Sequence, residues 1–180
     1  MNSYKNKVFI ARSLDGYIAD INGGLDWLHS IPNPDNEDAG YSQFMESVDA
    51  LLMGRNSFET VLGFDIEWPY HKPVFVWSTK LTSIPEELKD KVFLVKGSAK
   101  EVVKQINDKG YHHLYIDGGI TIQSLLKEDM IDEMIITTIP VLLGGGSSLF
   151  GELSNNLSFK HIQTKVFLGQ MVQSHYERNA

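Results

Sequence analysis

The chain has 180 residues, 42% of them hydrophobic and 22% charged, with a formal net charge of −7, the length and balance of one globular domain spanning 1–180 around a single core. The negative balance argues against non-specific nucleic-acid binding, which needs a basic footprint, but leaves room for an anionic ligand held by a few local cations. Cysteine is absent, which excludes disulfides, thiolate catalysis and cysteine-based zinc sites.

Val8-Phe9-Ile10-Ala11 reads as a buried first strand, too short an apolar run for a signal-peptide core, and Ser13–Gly16 follows as a turn. Asp20 to Asp38, rich in Asn, Gly, Pro and Asp, reads as a long loop with Trp27-Leu28 pinned inside; such loops in compact domains are more often functional than idle. Tyr41 to Val48 has helical spacing at Tyr41, Phe44 and Met45, Asp49 to Met53 is a second strand, and Gly54-Arg55-Asn56-Ser57 opens a helix running through Val61. Val74–Trp77 and Val92–Val95 are further strands. Ser98 as N-cap with Glu101 as its capping-box partner starts a helix that Gly110 stops.

His113–Ile116 is a fifth strand. It runs through Asp117-Gly118-Gly119 into a helix carrying Ile122, Leu125 and Leu126, and Met134–Ile139 is a sixth strand. Two β segments, Phe159–Leu168 and Met171–Tyr176, close the chain as a hairpin about Gly169-Gln170. Alternating strands and helices predict an α/β fold: right-handed βαβ units, a central, mostly parallel sheet with helices on both faces, and an antiparallel hairpin at one edge. The longest apolar stretch, Met134 to Leu143, is broken by two threonines and a proline, whereas a bilayer span needs roughly 20 apolar residues. A cytoplasmic location without a membrane partner is the expectation.

Three strand ends carry residues suited to a nucleotide. Gly54-Arg55-Asn56-Ser57 and Gly118-Gly119-Ile120-Thr121 are strand-to-helix junctions, where free N–H groups meet a phosphate and glycine lets it approach. Ser78-Thr79-Lys80 ends a third strand. Each junction alone reads first as a tight packing turn; together they suit a nucleotide lying across the carboxyl ends of the strands. Arg55 and Lys96 follow strand ends, where a cation can read a 2′-phosphate and select NADPH over NADH. Asp35, Glu37 and Asp38 precede a helix and either cap it or supply an acid beside a ligand. Gly144-Gly145-Gly146 is a flexible loop or a backbone cradle beside a ligand. Six histidines are scattered without metal-ligand spacing, so no metal is expected.

In order along the chain stand Ile10-Ala11, Ser13 to Ala19, Gly24-Leu25-Asp26-Trp27, Met53 to Glu59, Trp77-Ser78-Thr79, Ile116-Asp117-Gly118-Gly119 and Thr137-Thr138-Ile139. This series resembles the dihydrofolate reductase superfamily over nearly the whole chain. Tyr115 to Gly119 and Pro140 to Gly146 make it most similar to the branch containing the reductase domain of the bifunctional riboflavin-biosynthesis deaminase-reductase.

The resemblance implies hydride transfer from NADPH to a small nitrogen heterocycle, a pyrimidine or pteridine, in a homodimer. It implies that Gly54, Arg55, Asn56, Ser57, Ser78, Thr79, Gly118, Gly119, Thr121 and Ile122 line the cofactor, with Ala11 and Ile18 facing the nicotinamide. Leu25 and Trp27 would belong to a loop closing over the active site. Phe44 and Thr137 would touch the substrate, and Asp38, with Glu37 as its alternative, would supply the proton. Three departures stand out: Asp26 replaces the proline before the loop tryptophan, Asp117 takes the first place of the three-glycine cofactor turn, and His71-Lys72 stands where the arginine for a folate tail belongs. Two alternatives follow, a true dihydrofolate reductase and a nucleotide-binding protein without catalysis.

Overall fold

The computed structural model describes residues 4–179, so Met1–Ser3 at the start of the chain lie outside the described residues. Its main element is an eight-stranded sheet. The strands are β1 (Lys5–Ser13), β3 (Ala50–Gly54), β4 (Val74–Trp77), β5 (Val92–Val95), β6 (His113–Asp117), β7 (Glu133–Ile139), β9 (Phe159–Phe167) and β10 (Met171–Arg178), in the order β5-β4-β3-β6-β1-β7-β10-β9. Pairings from β5 to β7 are all parallel, and β10 runs antiparallel to both β7 and β9. The expected sheet and its terminal hairpin are therefore present.

β3 and β4 are apolar nearly throughout, as strands covered on both faces are. Their alternate residues feed two cores. Leu52, Phe75, Leu114 and Ile116 pack beneath α3 (Ala99–Asn107) and α4 (Gly119–Lys127). Leu51, Met53, Val74, Val76 and Tyr115 pack on the other face beneath α1 (Tyr41–Glu46) and α2 (Arg55–Leu62). α3 begins with the expected capping box: the Ser98 hydroxyl accepts the Glu101 N–H and the Glu101 carboxylate accepts the Ser98 N–H at 2.7 Å. Among the described residues no helix is long and apolar enough to cross a membrane.

Four local expectations are corrected. β1 starts at Lys5 rather than Val8, because Lys5, Asn6 and Lys7 already pair with β6. α1 ends at Glu46 rather than Val48: the hydroxyl and the N–H of Ser47 both donate to the Phe44 carbonyl, at 2.7 and 2.9 Å, and close the turn. The hairpin turns on Leu168-Gly169-Gln170, between the paired Phe167 and Met171, with Leu168 and Gly169 left-handed at φ of 49° and 68° and the Gln170 N–H on the Phe167 carbonyl at 3.0 Å; the turn starts one residue earlier than the sequence suggested. The fourth is a small second sheet, β2 (Tyr17–Ala19) against β8 (Ser147–Ser148), which lacks any apolar alternation to announce it.

That second sheet explains the last of the three glycines. At Gly146, with φ +130°, a Cβ would lie 2.1 Å from the Ala19 carbonyl oxygen, so the glycine lets backbone pack on backbone rather than on a ligand. Asp15 fixes the same loop, its carboxylate accepting the N–H groups of Leu143 and Gly144 at 3.1 and 2.8 Å.

Candidate active site

A cleft of about 860 Å³ opens at the carboxyl ends of β1, β3, β4 and β6, where ligands bind in open α/β sheets; its volume is that of a small-molecule site. Ala11, Ile18 and Leu25 form one apolar wall. Gly54, Arg55, Asn56 and Ser57 at the start of α2 form another. Ser78 and Thr79 contribute the end of β4, and Gly118, Gly119 and Thr121 the start of α4.

Neither α2 nor α4 has a side-chain cap; Gly54 and Gly118 stand at the two N-cap positions. A Ser or Asp there would occupy the first N–H groups, so both helix starts keep donors and a partial positive charge for an anion at the cleft. The local packing also demands the glycines. A Cβ on Gly118 (φ +89°) would stand 2.4 Å from the Ser57 hydroxyl, and one on Gly119 would stand 2.9 Å from the end of Ile18 and 3.2 Å from the Ser148 carbonyl. The two junctions are thus tight turns and open donor rows at once, which suits a dinucleotide pyrophosphate.

Six expected site residues lie off this cleft. Ile122 is fully buried in the α3–α4 core, because the turn of α4 that brings Thr121 to the cleft aims Ile122 at the sheet. Lys96 lines a separate groove with Glu101, Lys104 and Asp108. Trp27 is buried in a cluster with Ile31 and Ile139, and Phe44 packs on Phe9 and Tyr115, with ring centroids 5.0 and 5.1 Å away. Thr137 is buried and its hydroxyl accepts the Gln173 side-chain amide at 3.1 Å.

Asp38 is exposed. Its two carboxylate oxygens accept the N–H groups of Gly40 and Ser42 at 2.8 and 2.9 Å. The Ser42 hydroxyl and these N–H groups hold its pKa below the usual carboxylate range, so the ionised carboxylate serves the start of α1. Glu37, its alternative, is equally exposed and accepts the Ala39 N–H at 3.0 Å.

The acidic group in the cleft is Asp117, at the end of β6. Burial raises its pKa to about 6, against the opposing Gly118 N–H and Tyr115 hydroxyl. Tyr41, Tyr70 and Tyr115 surround it, and burial together with the Asp117 charge raises all three phenols, Tyr41 to about 12. The sequence flagged Asp117 only as a departure from a glycine motif; Tyr70, which shares the cleft with it, comes from a loop with no periodic signal. Among the described residues no group of His, Asp and Glu is arranged to hold a metal.

The RibD C-terminal domain family model matches residues 7–172. A putative riboflavin biosynthesis protein from Shewanella sp. PV-4 is 57% identical, with a TM-score of 0.95, over 98% of this chain and 99% of that one. Two more distant structures share the fold. The diaminohydroxyphosphoribosylaminopyrimidine deaminase/5-amino-6-(5-phosphoribosylamino)uracil reductase of Thermotoga maritima aligns at 15% identity and TM-score 0.74, over 98% of this chain and 57% of that one. The dihydrofolate reductase of Enterococcus faecalis, complexed with NADP(H), aligns at 18% and 0.63, over 98% and 97%.

Proposed function

Because the chain belongs to the RibD C-terminal domain family, we propose that it is an NADPH-dependent reductase acting on a small pyrimidine or pteridine. The observation that carries this reading is a cleft with two uncapped helix N-termini along one side and a half-buried carboxyl of pKa about 6 on its floor.

The cofactor, when bound, supplies a hydride. The residues of the chain do the rest. The N–H groups at the uncapped starts of α2 and α4 would hold the cofactor's pyrophosphate. Ala11, Ile18 and Leu25 give an apolar, water-poor surface for the reacting rings. Hydride addition to a carbon–nitrogen double bond leaves negative charge on nitrogen, and Asp117 is the group placed to hold and deliver the balancing proton. A carboxyl of pKa about 6 is half protonated at about pH 6 and keeps a minor protonated fraction at neutral pH, which suits a general acid. Tyr41 and Tyr70 stay protonated and keep donor hydroxyls around it.

The same reading includes a cytoplasmic homodimer. Support for the dimer is the outer strand β9, unpaired on one edge, with Ile162 and Val166 exposed; light scattering tests it. The function is tested by NADPH oxidation against aminopyrimidines carrying a ribityl or phosphoribosyl group, pterins and dihydrofolate. Turnover with a pyrimidine or pterin, lost in Asp117→Asn, is expected. NADPH binding without turnover on any of them overturns the reading in favour of a nucleotide-binding protein.

A further inference from the structure

NADPH differs from NADH by one 2′-phosphate, a dianion that needs a cation in reach. Among the described residues two cations line the cleft, Arg55 and Lys80. Arg55 is already engaged: its Nη1 lies 2.9 and 2.7 Å from the two carboxylate oxygens of Glu59, one turn further along α2. The pair is close to neutral, and the Glu59 carboxylate would repel a phosphate brought to the guanidinium. Lys96 lines a separate groove with Glu101, Lys104 and Asp108 rather than the cleft.

Lys80 is in the opposite situation. It is exposed at the cleft rim and no carboxylate pairs with it among the described residues. Its backbone is held: the buried Ser78 hydroxyl accepts the N–H groups of Lys80 and Leu81 at 3.1 and 3.0 Å. The preceding Trp77 indole donates to the Gly97 carbonyl at 3.0 Å, so the turn is anchored on both sides. Ser78 therefore builds the turn, and the ammonium it presents is free to take the phosphate.

We infer that Lys80 is the residue that selects NADPH over NADH by holding the 2′-phosphate, and that Glu59 silences Arg55 for that task. This assignment rests on the NADPH reading of the cleft. It is tested by equilibrium titration of NADPH and NADH, following cofactor fluorescence, with the wild type and with Lys80→Gln, Lys80→Arg, Arg55→Ala and Glu59→Gln. Both lysine changes lie at an exposed position, so the fold is kept.

Lys80→Gln should raise the NADPH Kd roughly tenfold or more, the loss of one charge-assisted hydrogen bond, and leave NADH unchanged. Lys80→Arg should restore NADPH. Glu59→Gln, by freeing Arg55, should tighten NADPH several-fold, and Arg55→Ala should cost less than Lys80→Gln. An NADPH Kd within twofold of wild type in Lys80→Gln, equal losses for both cofactors, or a larger loss in Arg55→Ala overturns the assignment while leaving the reductase reading in place. Failure of the wild type to bind either cofactor overturns the reductase reading, and this assignment with it.

Discussion

One oxygen of the Asp38 carboxylate accepts the backbone N–H of Ser42 at 2.9 Å, inside the first turn of α1. The other accepts Gly40 N–H, so this acid before the helix acts on the helix and not on a ligand. An amide keeps one of these two acceptors. Asp38→Asn should hold kcat within about threefold of wild type, whereas a general acid is worth roughly 10²–10⁴-fold. Asp38→Ala should lower stability by about 1 kcal/mol, a lost cap. Because the folded pKa is depressed, this contribution is present above the ordinary carboxylate pKa and disappears as pH falls through the folded value. Steady-state kinetics with thermal melts at pH 7 and pH 3 check both, and a hundredfold loss of kcat in the asparagine variant would restore Asp38 as the acid.

Asp117 should behave in the opposite sense. Its pKa rises from 3.8 to about 6 on folding, so the folded state is favoured below the unfolded pKa and loses that advantage as pH climbs from about 4 to about 6. Asp117→Asn should then be more stable than wild type at pH 7–8, by on the order of 2–3 kcal/mol at about 1.36 kcal/mol per pKa unit, with the difference vanishing near pH 4. Wild-type kcat should fall as pH rises through about 6, and in Asp117→Asn it should drop roughly 10²–10⁴-fold. Chemical denaturation across pH reads the first effect independently of any substrate; a variant less stable than wild type at pH 8 would refute it.

Dihydrofolate should be a poor substrate. The Lys72 ammonium, at the position where a folate tail would want a guanidinium, is committed to the Val48 carbonyl. Loss of a bidentate, charge-assisted contact worth about 1.5–3 kcal/mol weakens such a ligand by roughly one to two orders of magnitude. A compact pterin or aminopyrimidine has no tail and escapes the penalty. A low-micromolar KM with brisk turnover on dihydrofolate would make the plain dihydrofolate reductase assignment the better one.

Gly119→Val should lose both cofactor binding and stability. A side chain there meets Ile18 and the Ser148 carbonyl, at 2.9 and 3.2 Å for the Cβ alone, and forces β2 and β8 off α4. The cost should fall in the overpacking range of about 1–3 kcal/mol, visible as a lower Tm without ligand. An unchanged Tm would show that β2 yields freely.

Much of this was legible from the chain. Apolar runs such as Val74–Trp77 and the Ser98/Glu101 box are local signals, and the structure honours them. The strand ends at Gly54, Ser78 and Gly118 were readable as a shared cleft because a parallel sheet brings its carboxyl ends to one side. What stayed hidden depends on side-chain direction. Phe44 and Thr137 sit near the right elements yet point into packing, and Ile122 differs from Thr121 by one helical step. The same holds for charge. Arg55 looks free in the sequence, although Glu59 four residues on is the spacing of a helical ion pair.

β1 lies at the middle of the sheet, between β6 and β7, though it comes before both in the sequence. Its partners begin at His113 and Glu133, so β1 waits unpaired until β6 has been made and keeps one edge open until β7 follows. The β3–β4–β5 half pairs over much shorter loops and can assemble beforehand. Non-local parallel pairing of this kind is slow. The cleft is therefore born late: its Ala11 and Ile18 wall comes into being only when the last third of the chain closes over the first strand, and a nascent or truncated chain ending before Glu133 carries an exposed β1 edge open to aggregation.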